Sequence, residues 1–418
     1  DIDMPEAWVI STGSEEIIVA VIDSGCYIDH PDLADNIWVN PGEIPGNGID
    51  DDKNGYIDDI NGWDFYNNDN SVFDPDERDM WNSLMDEHGT HVAGTIGAAS
   101  NNAIGVAGVN WNVKILPLKF IGPQGGASSD AILALEYAAA KGAKIVNCSW
   151  GGGPYDQALK DAIESSGMLV VCAAGNDGKN TDLTPHYPSS YDLDNIIAVA
   201  ASMQNDEPCV YPGWWSTSYG AQSVDLFAPG GYILSTLPPD PPTETPREAY
   251  GYFYGSSMAT PHVSGVAALL YATYPRMPLY PGAPGCVEGG LTVKDRILDS
   301  VDVKPAFQGK ALTGGRLNAA AALSIPDAPI ITSASASPIF GRPPLTVTFS
   351  GAATSPVGEI VDKWWDFGDG SDSVHEYDAV HTYLVEGTYT ATLTVVDSNG
   401  VTAEKSVKIL VGDVPQAS

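Results

Sequence analysis

Apolar residues in the first 325 positions fall into short continuous runs rather than an alternating pattern. Ile17–Asp23, Val113–Phe120, Ala143–Trp150, Met168–Ala174 and Ile196–Ala201 each read as one such run, which predicts strands buried on both faces. Between them, Ser128–Ala140 and Tyr155–Ser166 carry a helical pattern. Strand–helix–strand order predicts an α/β fold, a parallel sheet flanked by helices. Ligands of such sheets bind beyond the carboxyl ends of the strands. The pattern changes after Ala319–Leu323. Two prolines fall within Ser324–Pro329, and the following segment is rich in Thr, Val, Ser and Tyr, with period-2 stretches such as Thr388–Val395. Several short strands with turn signals predict an antiparallel all-β sandwich. The expected domains are therefore 1–325 and 326–418.

The length of 418 residues suits two domains. No run of about 18 apolar residues exists to form a transmembrane helix. No charged, then apolar, then small-residue leader opens the chain, so any signal peptide or pro-segment is expected to have been removed before Asp1. The 54 acidic and 19 basic residues give a net charge of -35, which argues against nucleic acid as a partner because phosphates are repelled. Acidity is concentrated near the start: residues 1–90 hold 23 acids and two bases, Lys53 and Arg78. A solvated acidic surface and bound cations are both consistent with that density. The five cysteines are an odd number, so they cannot all pair within the chain. Cys148 and Cys172 lie in apolar runs, where a thiol acts as a small hydrophobe, and Cys209 with Cys286 is a candidate disulfide.

Three segments carry candidate chemistry. Val19–Gly25 places Asp23 at the carboxyl end of a buried strand, His88–Gly94 opens a helix with a histidine, and Gly255–Gly265 opens another with Ser257. A serine hydroxyl needs a base within hydrogen-bond reach to act as a nucleophile. Histidine serves as base and then acid because it titrates near working pH. A carboxylate fixes the ring tautomer and stabilises the imidazolium. A fourth segment, Val170–Gly178, ends a strand with Asn176, whose amide can donate to an oxyanion beside the Ser257 backbone N–H.

Together the four segments resemble the signature blocks of the subtilisin-like serine proteases (subtilases), from about Pro5 to Leu323, in that family's acid–histidine–serine order. The resemblance implies a secreted endopeptidase with Asp23, His88 and Ser257 as triad and Asn176 as oxyanion donor. It implies structural roles for His91 and His262. Asn147–Gly152 resembles the segment that pairs with substrate backbone, through Ser149, Trp150, Gly151 and Gly152, and Gly125 with Gly126 the opposing edge. Main-chain pairing of this kind reads little sequence, so broad specificity is expected. The main pocket is expected between Ser149–Gly152 and Cys172–Gly175, including Ala174 and Gly175. His186 falls where the family often has a small residue and would shorten the pocket, and Trp150 would narrow it further out. Pro238–Pro246 reads as a proline-rich insertion. A propeptide inhibitor is expected in the precursor, and a monomer as the working form.

Two loops read as calcium sites. Asp50, Asp52, Asn54 and Asp58, with the Tyr56 carbonyl, match the first half of an EF-hand-type loop around Gly55. Ser100, Asn102, Ile104 and Val106 resemble the family's strong calcium loop, with Asp32 in the remote position; the place of the family's upstream ligand is either open or filled by Asp1 or Asp3. In the last segment, Trp365–Gly370, His381–Tyr383 and Gly387–Val395 resemble a polycystic kidney disease (PKD) domain, an immunoglobulin-like sandwich. That resemblance implies a spacer or a module that attaches the enzyme to insoluble protein. A tryptophan on its surface would be the binding platform, with one of Trp364 and Trp365 pointing inward.

Overall fold

The structure is a computed structural model that describes residues 2–239, 249–284, 286, 291–324, 328–355, 359–398 and 400–412. Most of the proline-rich insertion Pro238–Pro246 and the candidate ligand Asp1 lie outside the described residues. The chain forms two compact units. One comprises Asp1–Pro275, Leu279–Pro284 and Val293–Ser324, the other Arg276–Pro278, Gly285–Thr292 and Ile325–Ser418.

Among the described residues of the first unit, nine strands form one sheet. In chain order they are β1 (Gly13–Asp23), β2 (Trp63–Asp64), β3 (Asn112–Lys119), β4 (Ile145–Cys148), β5 (Leu169–Ala173), β6 (Ile196–Ser202), β7 (Leu226–Pro229), β8 (Asp302–Val303) and β9 (Gly315–Arg316). Across the sheet the order is β8-β9-β7-β6-β5-β4-β1-β3-β2. Every neighbouring pair is parallel except β8 with β9. The apolar runs account for the centre: every residue of β4, β5 and β6 is buried. Successive strands are added on opposite sides of β1, so the strand order reverses there and opens a crevice at the carboxyl ends.

Four helices matter for that crevice: α1 (Glu87–Gly97), α2 (Ser128–Ala140), α3 (Gln157–Ser165) and α4 (Ser256–Thr273). Helices α2 and α3 pack over Ala20, Ile22, Leu116, Leu118, Val146, Val170 and Cys172. Asp156 caps α3 by accepting from the backbone N–H of Ala158 and Leu159, an interaction typically worth about 1 kcal/mol. Helix α4 lies against β1 and β4 to β7. From Ser256 to Leu270 it is buried everywhere but at Ser257 and His262, as a helix inside a large core must be. Cys148 and Cys172 are register partners on β4 and β5 and are buried. Cys209 is a free, buried thiol, so the candidate disulfide with Cys286 does not form.

Among its described residues the second unit holds two sheets. One joins Ile330–Ser337, Leu345–Thr354 and Ala379–Tyr383; the other joins Phe340–Gly341, Thr402–Val411, Gly387–Asp397 and Ile360–Asp366. Leu345, Val347 and Phe349 alternate with exposed positions, and pack with Trp365, Phe367, Tyr383, Leu393 and Ile409. Trp365 is fully buried and its Nε1 donates to the Tyr377 carbonyl at 3.0 Å. Trp364 differs from the expected exposed platform. The Arg276 guanidinium stacks 3.7 Å from its ring centroid and leaves it 7% exposed, because Arg276 clusters with this unit and an aromatic face attracts a guanidinium.

Candidate active site

The parallel sheet brings the chemistry-bearing residues to one rim. Asp23 ends β1, His88 is the second residue of α1, Ser257 is the second of α4, and Asn176 follows β5. All four line a single cleft of about 470 Å³. His88 Nδ1 lies 2.7 Å from Asp23 Oδ1, which also accepts from the Ser24 N–H at 2.7 Å. Asp23 is 1% exposed and His88 35%, so the imidazole reaches the cleft while its carboxylate partner stays dry. Burial lowers the His88 pKa, but the charge of Asp23 and its hydrogen bond outweigh burial, and the net shift is upward.

Ser257 Oγ donates to the Ser149 carbonyl at 2.9 Å. Among the described residues no hydrogen bond joins it to His88, so contact with that imidazole requires a side-chain rotation. Contacts of this kind commonly tighten only when substrate is present. The Ser257 backbone is held from below: Ser149 Oγ donates to the Ser257 carbonyl at 2.8 Å and accepts from Asn147 Nδ2 at 2.8 Å. Asn147 Oδ1 in turn accepts from Ser264 Oγ on α4. Asn176 Oδ1 accepts from the Ser256 N–H at 2.9 Å and Oγ at 3.1 Å, which directs the amide's donor end, Nδ2, away from that anchor. Gly255, at φ 140°, makes room: a methyl added there would lie 3.2 Å from Asn176 Nδ2. His91 and His262 are separate from this chemistry. Each bonds a backbone carbonyl and is depressed to about 4, chiefly by burial.

The cleft walls bring together most of the expected residues, with two differences. Ser149, Trp150, Gly151, Gly152, Gly175 and His186 line it. Ala174 does not; it is fully buried in a cluster with Phe227 and Phe307, because adjacent residues leaving a strand face opposite ways, and Ala173 lines the cleft instead. Gly125 and Gly126 form the exposed strand of a short hairpin with Ile121–Gly122, and it is Ile121 that lines the cleft. The Trp150 indole is half-buried, with Nε1 donating to the Ile22 carbonyl at 2.8 Å and its ring edge on Phe120.

Comparisons with known proteins give the family. Residues 14–311 match the subtilase family, and residues 327–411 match the PKD domain. The chain belongs to the subtilase family. Thermitase from Thermoactinomyces vulgaris is 35% identical over 273 residues, 64% of this chain and 79% of the relative. The major intracellular serine protease of Bacillus subtilis (strain 168) is 35% identical over 276 residues, 64% and 72% respectively. Subtilisin-like protease 2 of Plasmodium falciparum is 32% identical over 281 residues, 64% of this chain but 18% of its own length. A solved structure, described as proteases from Pseudoalteromonas arctica, superposes with a TM-score of 0.57 at 28% identity, covering 77% of this chain and 93% of that one. The subtilase is accordingly a serine endopeptidase with a mostly parallel α/β domain and a C-terminal PKD domain.

The subtilase domain also holds a buried cluster that sequence reasoning missed. Lys119 ends β3 directly beside Asp23 in register. Its ammonium is fully buried, donates to the Ser24 carbonyl at 2.7 Å, and pairs with Asp86 and with Glu77 at 2.8 Å. Asp86 precedes α1, and its carbonyl accepts from Thr90 Oγ1 at 2.6 Å. One cation thus ties the strand end carrying Asp23 to the helix start carrying His88. Burial pushes the Asp86 carboxyl up to about 7 despite the opposing pull of Lys119. A lone lysine ending an apolar run signals none of this; only the parallel register does.

The acidic loops are arranged differently from the sequence reading. Asp50 accepts from the N–H groups of Asn54 and Gly55, Asn54 Oδ1 accepts from the Tyr56 N–H, and Asp58 turns to the N–H groups of Asn47 and Gly48. Of that set only Asp52 joins the carboxylate group that gathers among the described residues, Glu43, Asp52 and Asp59, whose oxygens lie within 4.8 Å of one another. Glu43 Oε2 is buried with no hydrogen-bond partner, and Lys141 Nζ sits 2.7 Å from Asp52 and 3.2 Å from Asp59. The second loop does meet Asp32. Its Oδ1 accepts from Asn102 Nδ2 at 2.6 Å, and Oδ2 from the Val106 N–H at 2.9 Å and the Tyr250 hydroxyl at 3.2 Å. The Ile104 N–H donates to Asn102 Oδ1, while Ser100 Oγ turns to the Ala98 carbonyl and Asp3 to Asn318.

Proposed function

We propose that this chain is a secreted serine endopeptidase of broad specificity, with a catalytic domain at 1–325 and a PKD domain at 326–418. Ser257 is the nucleophile, His88 the base and then the acid, Asp23 the orienting carboxylate, and Asn176 with the Ser257 N–H the oxyanion hole. The observation that carries the reading is the shared cleft of Asp23, His88, Asn176 and Ser257, with the His88–Asp23 contact at 2.7 Å. Ser257 Oγ turns from the Ser149 carbonyl, gives its proton to His88 Nε2 and attacks the substrate carbonyl. The rising positive charge on His88 is held by Asp23, buried where water does not screen it. The oxyanion develops at the N-terminus of α4, where the helix field and Asn176 favour it. His88 then protonates the leaving amine, and water enters to release the acyl group from Ser257.

The substrate is a protein or peptide laid as an extended strand along Ser149–Gly151. No helix of the described residues is long and apolar enough to cross a membrane. Secretion is part of this reading as the subtilase resemblance implies it; the PKD domain serves as a spacer or tether to insoluble protein. Calcium fits the Glu43–Asp52–Asp59 group, since hard oxygen ligands suit it and Glu43 Oε2 is a buried acceptor left over. There it would neutralise carboxylates and stiffen the loop, remote from the chemistry; Asp32 with Asn102 is the second candidate. Replacing Ser257 by alanine tests the reading: hydrolysis of casein should fall to background, and undiminished hydrolysis by the variant would refute it.

A further inference from the structure

The cleft carries two titratable side chains that the proposed chemistry does not use, Asp177 and His186. His186 lines the same cleft as Ser257 and stands between its two glycine walls. A methyl added at Gly151 would collide with the ring at Cε1, and one added at Gly175 would lie 2.8 Å from Cδ2 and 3.0 Å from Nε2. The ring therefore closes the space between Gly151 and Gly175, where a long aromatic or aliphatic side chain would otherwise enter.

Its contacts with Ser189 favour one tautomer. Ser189 Oγ spends its single proton on the His186 carbonyl at 2.7 Å. The contact of 3.2 Å between Ser189 Oγ and His186 Nδ1 then requires the proton to sit on Nδ1. In the neutral ring Nε2 is left as an acceptor on the side of Gly175 and Gly152. Protonation turns that atom into a charged donor.

We infer that His186 sets which residue is accepted immediately before the scissile bond: short polar side chains, with amide or hydroxyl donors taken by the neutral ring and carboxylates by the protonated one. This rests on the proposed Ser257 chemistry in the same cleft. The charged groups facing the ring come from one neighbouring loop. They are Asp177, which also lines the cleft, and Lys179, paired with it at 3.1 Å. Their side chains are 64% and 56% exposed, so solvent screens both and each offsets the other. The wall Gly151–Gly152 contributes no charge, and on its own segment the neighbour is Tyr187. Burial holds the His186 pKa below the ordinary histidine value, against the charge of Asp177 and the Ala173 carbonyl, with Lys179 acting in the same direction as burial. The change in preference accordingly belongs below the ordinary histidine pKa of about 6.5. A hydrogen bond gained by an ionised carboxylate is worth about 10–100-fold in selectivity.

The test uses the full chain and chromogenic peptides identical except for Glu, Gln or Phe before the scissile bond. The kcat/KM ratio of Glu to Gln is followed from pH 5.5 to 8.5, above the ordinary glutamate pKa of about 4.3. Taking a ratio cancels the titration of His88, which both substrates share. The ratio should rise about tenfold or more toward pH 5.5. It should be flat in His186→Asn, which retains a side-chain donor toward Ser189 but does not titrate, and His186→Gly should gain on the Phe peptide. A flat ratio in the unaltered enzyme, or the same rise in His186→Asn, overturns the assignment. Ser257-dependent cleavage with a flat ratio sinks this inference alone; absence of Ser257-dependent cleavage of every peptide and of casein sinks the proposed function with it.

Discussion

Replacing Lys119 with methionine should destabilise the subtilase domain well beyond an ordinary surface change. The ammonium is fully buried and satisfies the Ser24 carbonyl, Asp86 and Glu77 together. Methionine fills the volume but leaves Asp86, itself fully buried, without its cation. Removing one partner of a buried ion pair costs about 3–5 kcal/mol. With an unfolding entropy of about 2.1 cal/mol/K per residue over roughly 300 residues, that corresponds to a fall in Tm of about 5–8 °C. The sign of its pH dependence follows from Asp86. Its folded pKa stands at about 7, above the ordinary carboxylate value, because of burial. Without Lys119 the two largest influences that hold it down are gone, leaving only the Asp74 N–H, so it climbs further. A group with a raised folded pKa loses stability as pH rises from its unfolded to its folded value. In the unaltered protein that loss ends near pH 7; in the variant it continues, so the Tm gap should widen between pH 7 and 9. Calorimetry in a Ser257→Ala background removes autolysis. A Tm within 1–2 °C of the parent at pH 8, or a gap that narrows with pH, would refute the reasoning.

Asn176→Ala should lower kcat by about 10²–10³-fold with little change in KM, the range for losing one oxyanion donor in a protease of this kind; steady-state kinetics on one peptide decides it. The acid limb of kcat/KM should lie above the ordinary histidine pKa of about 6.5, because activity needs neutral His88 and Asp23 raises it. In Asp23→Asn that limb should move down, since only the lowering effect of burial remains; a limb that stays in place would deny the pairing its electrostatic role. Chelation should lower Tm, since calcium at about a hundredfold its Kd stabilises by about 2.7 kcal/mol. Glu43→Gln should shrink that chelator effect; an equal shift in both proteins would move the ion elsewhere.

The central sheet is legible because its strands are buried on both faces. The runs at Ile17–Asp23 and Ile196–Ala201 became Gly13–Asp23 and Ile196–Ser202, and α2 spans Ser128–Ala140 as its pattern indicates. The two-residue strands Trp63–Asp64, Asp302–Val303 and Gly315–Arg316 are too brief to carry a period. The cleft residues are legible in part because each sits beside the strand end or helix start that places it. What escapes is pairing between distant segments. Lys119 meets Asp86 through sheet register. Glu43 joins Asp52 and Asp59 because the loop folds back, with Glu43 Oε1 accepting from the N–H groups of Asp51 and Asp52, whereas spacing alone favours the contiguous Asp50–Asp58 set. Ala174 and Gly175 are neighbours in sequence, and only the strand's direction decides which of them faces the cleft.

The most direct measurement is peptide mapping after reaction with a fluorophosphonate, which traps a serine only when a base activates it. A single adduct on Ser257, lost when His88 is replaced by alanine, is the predicted result. An adduct on another serine, or labelling of Ser257 that is indifferent to His88, would contradict the account.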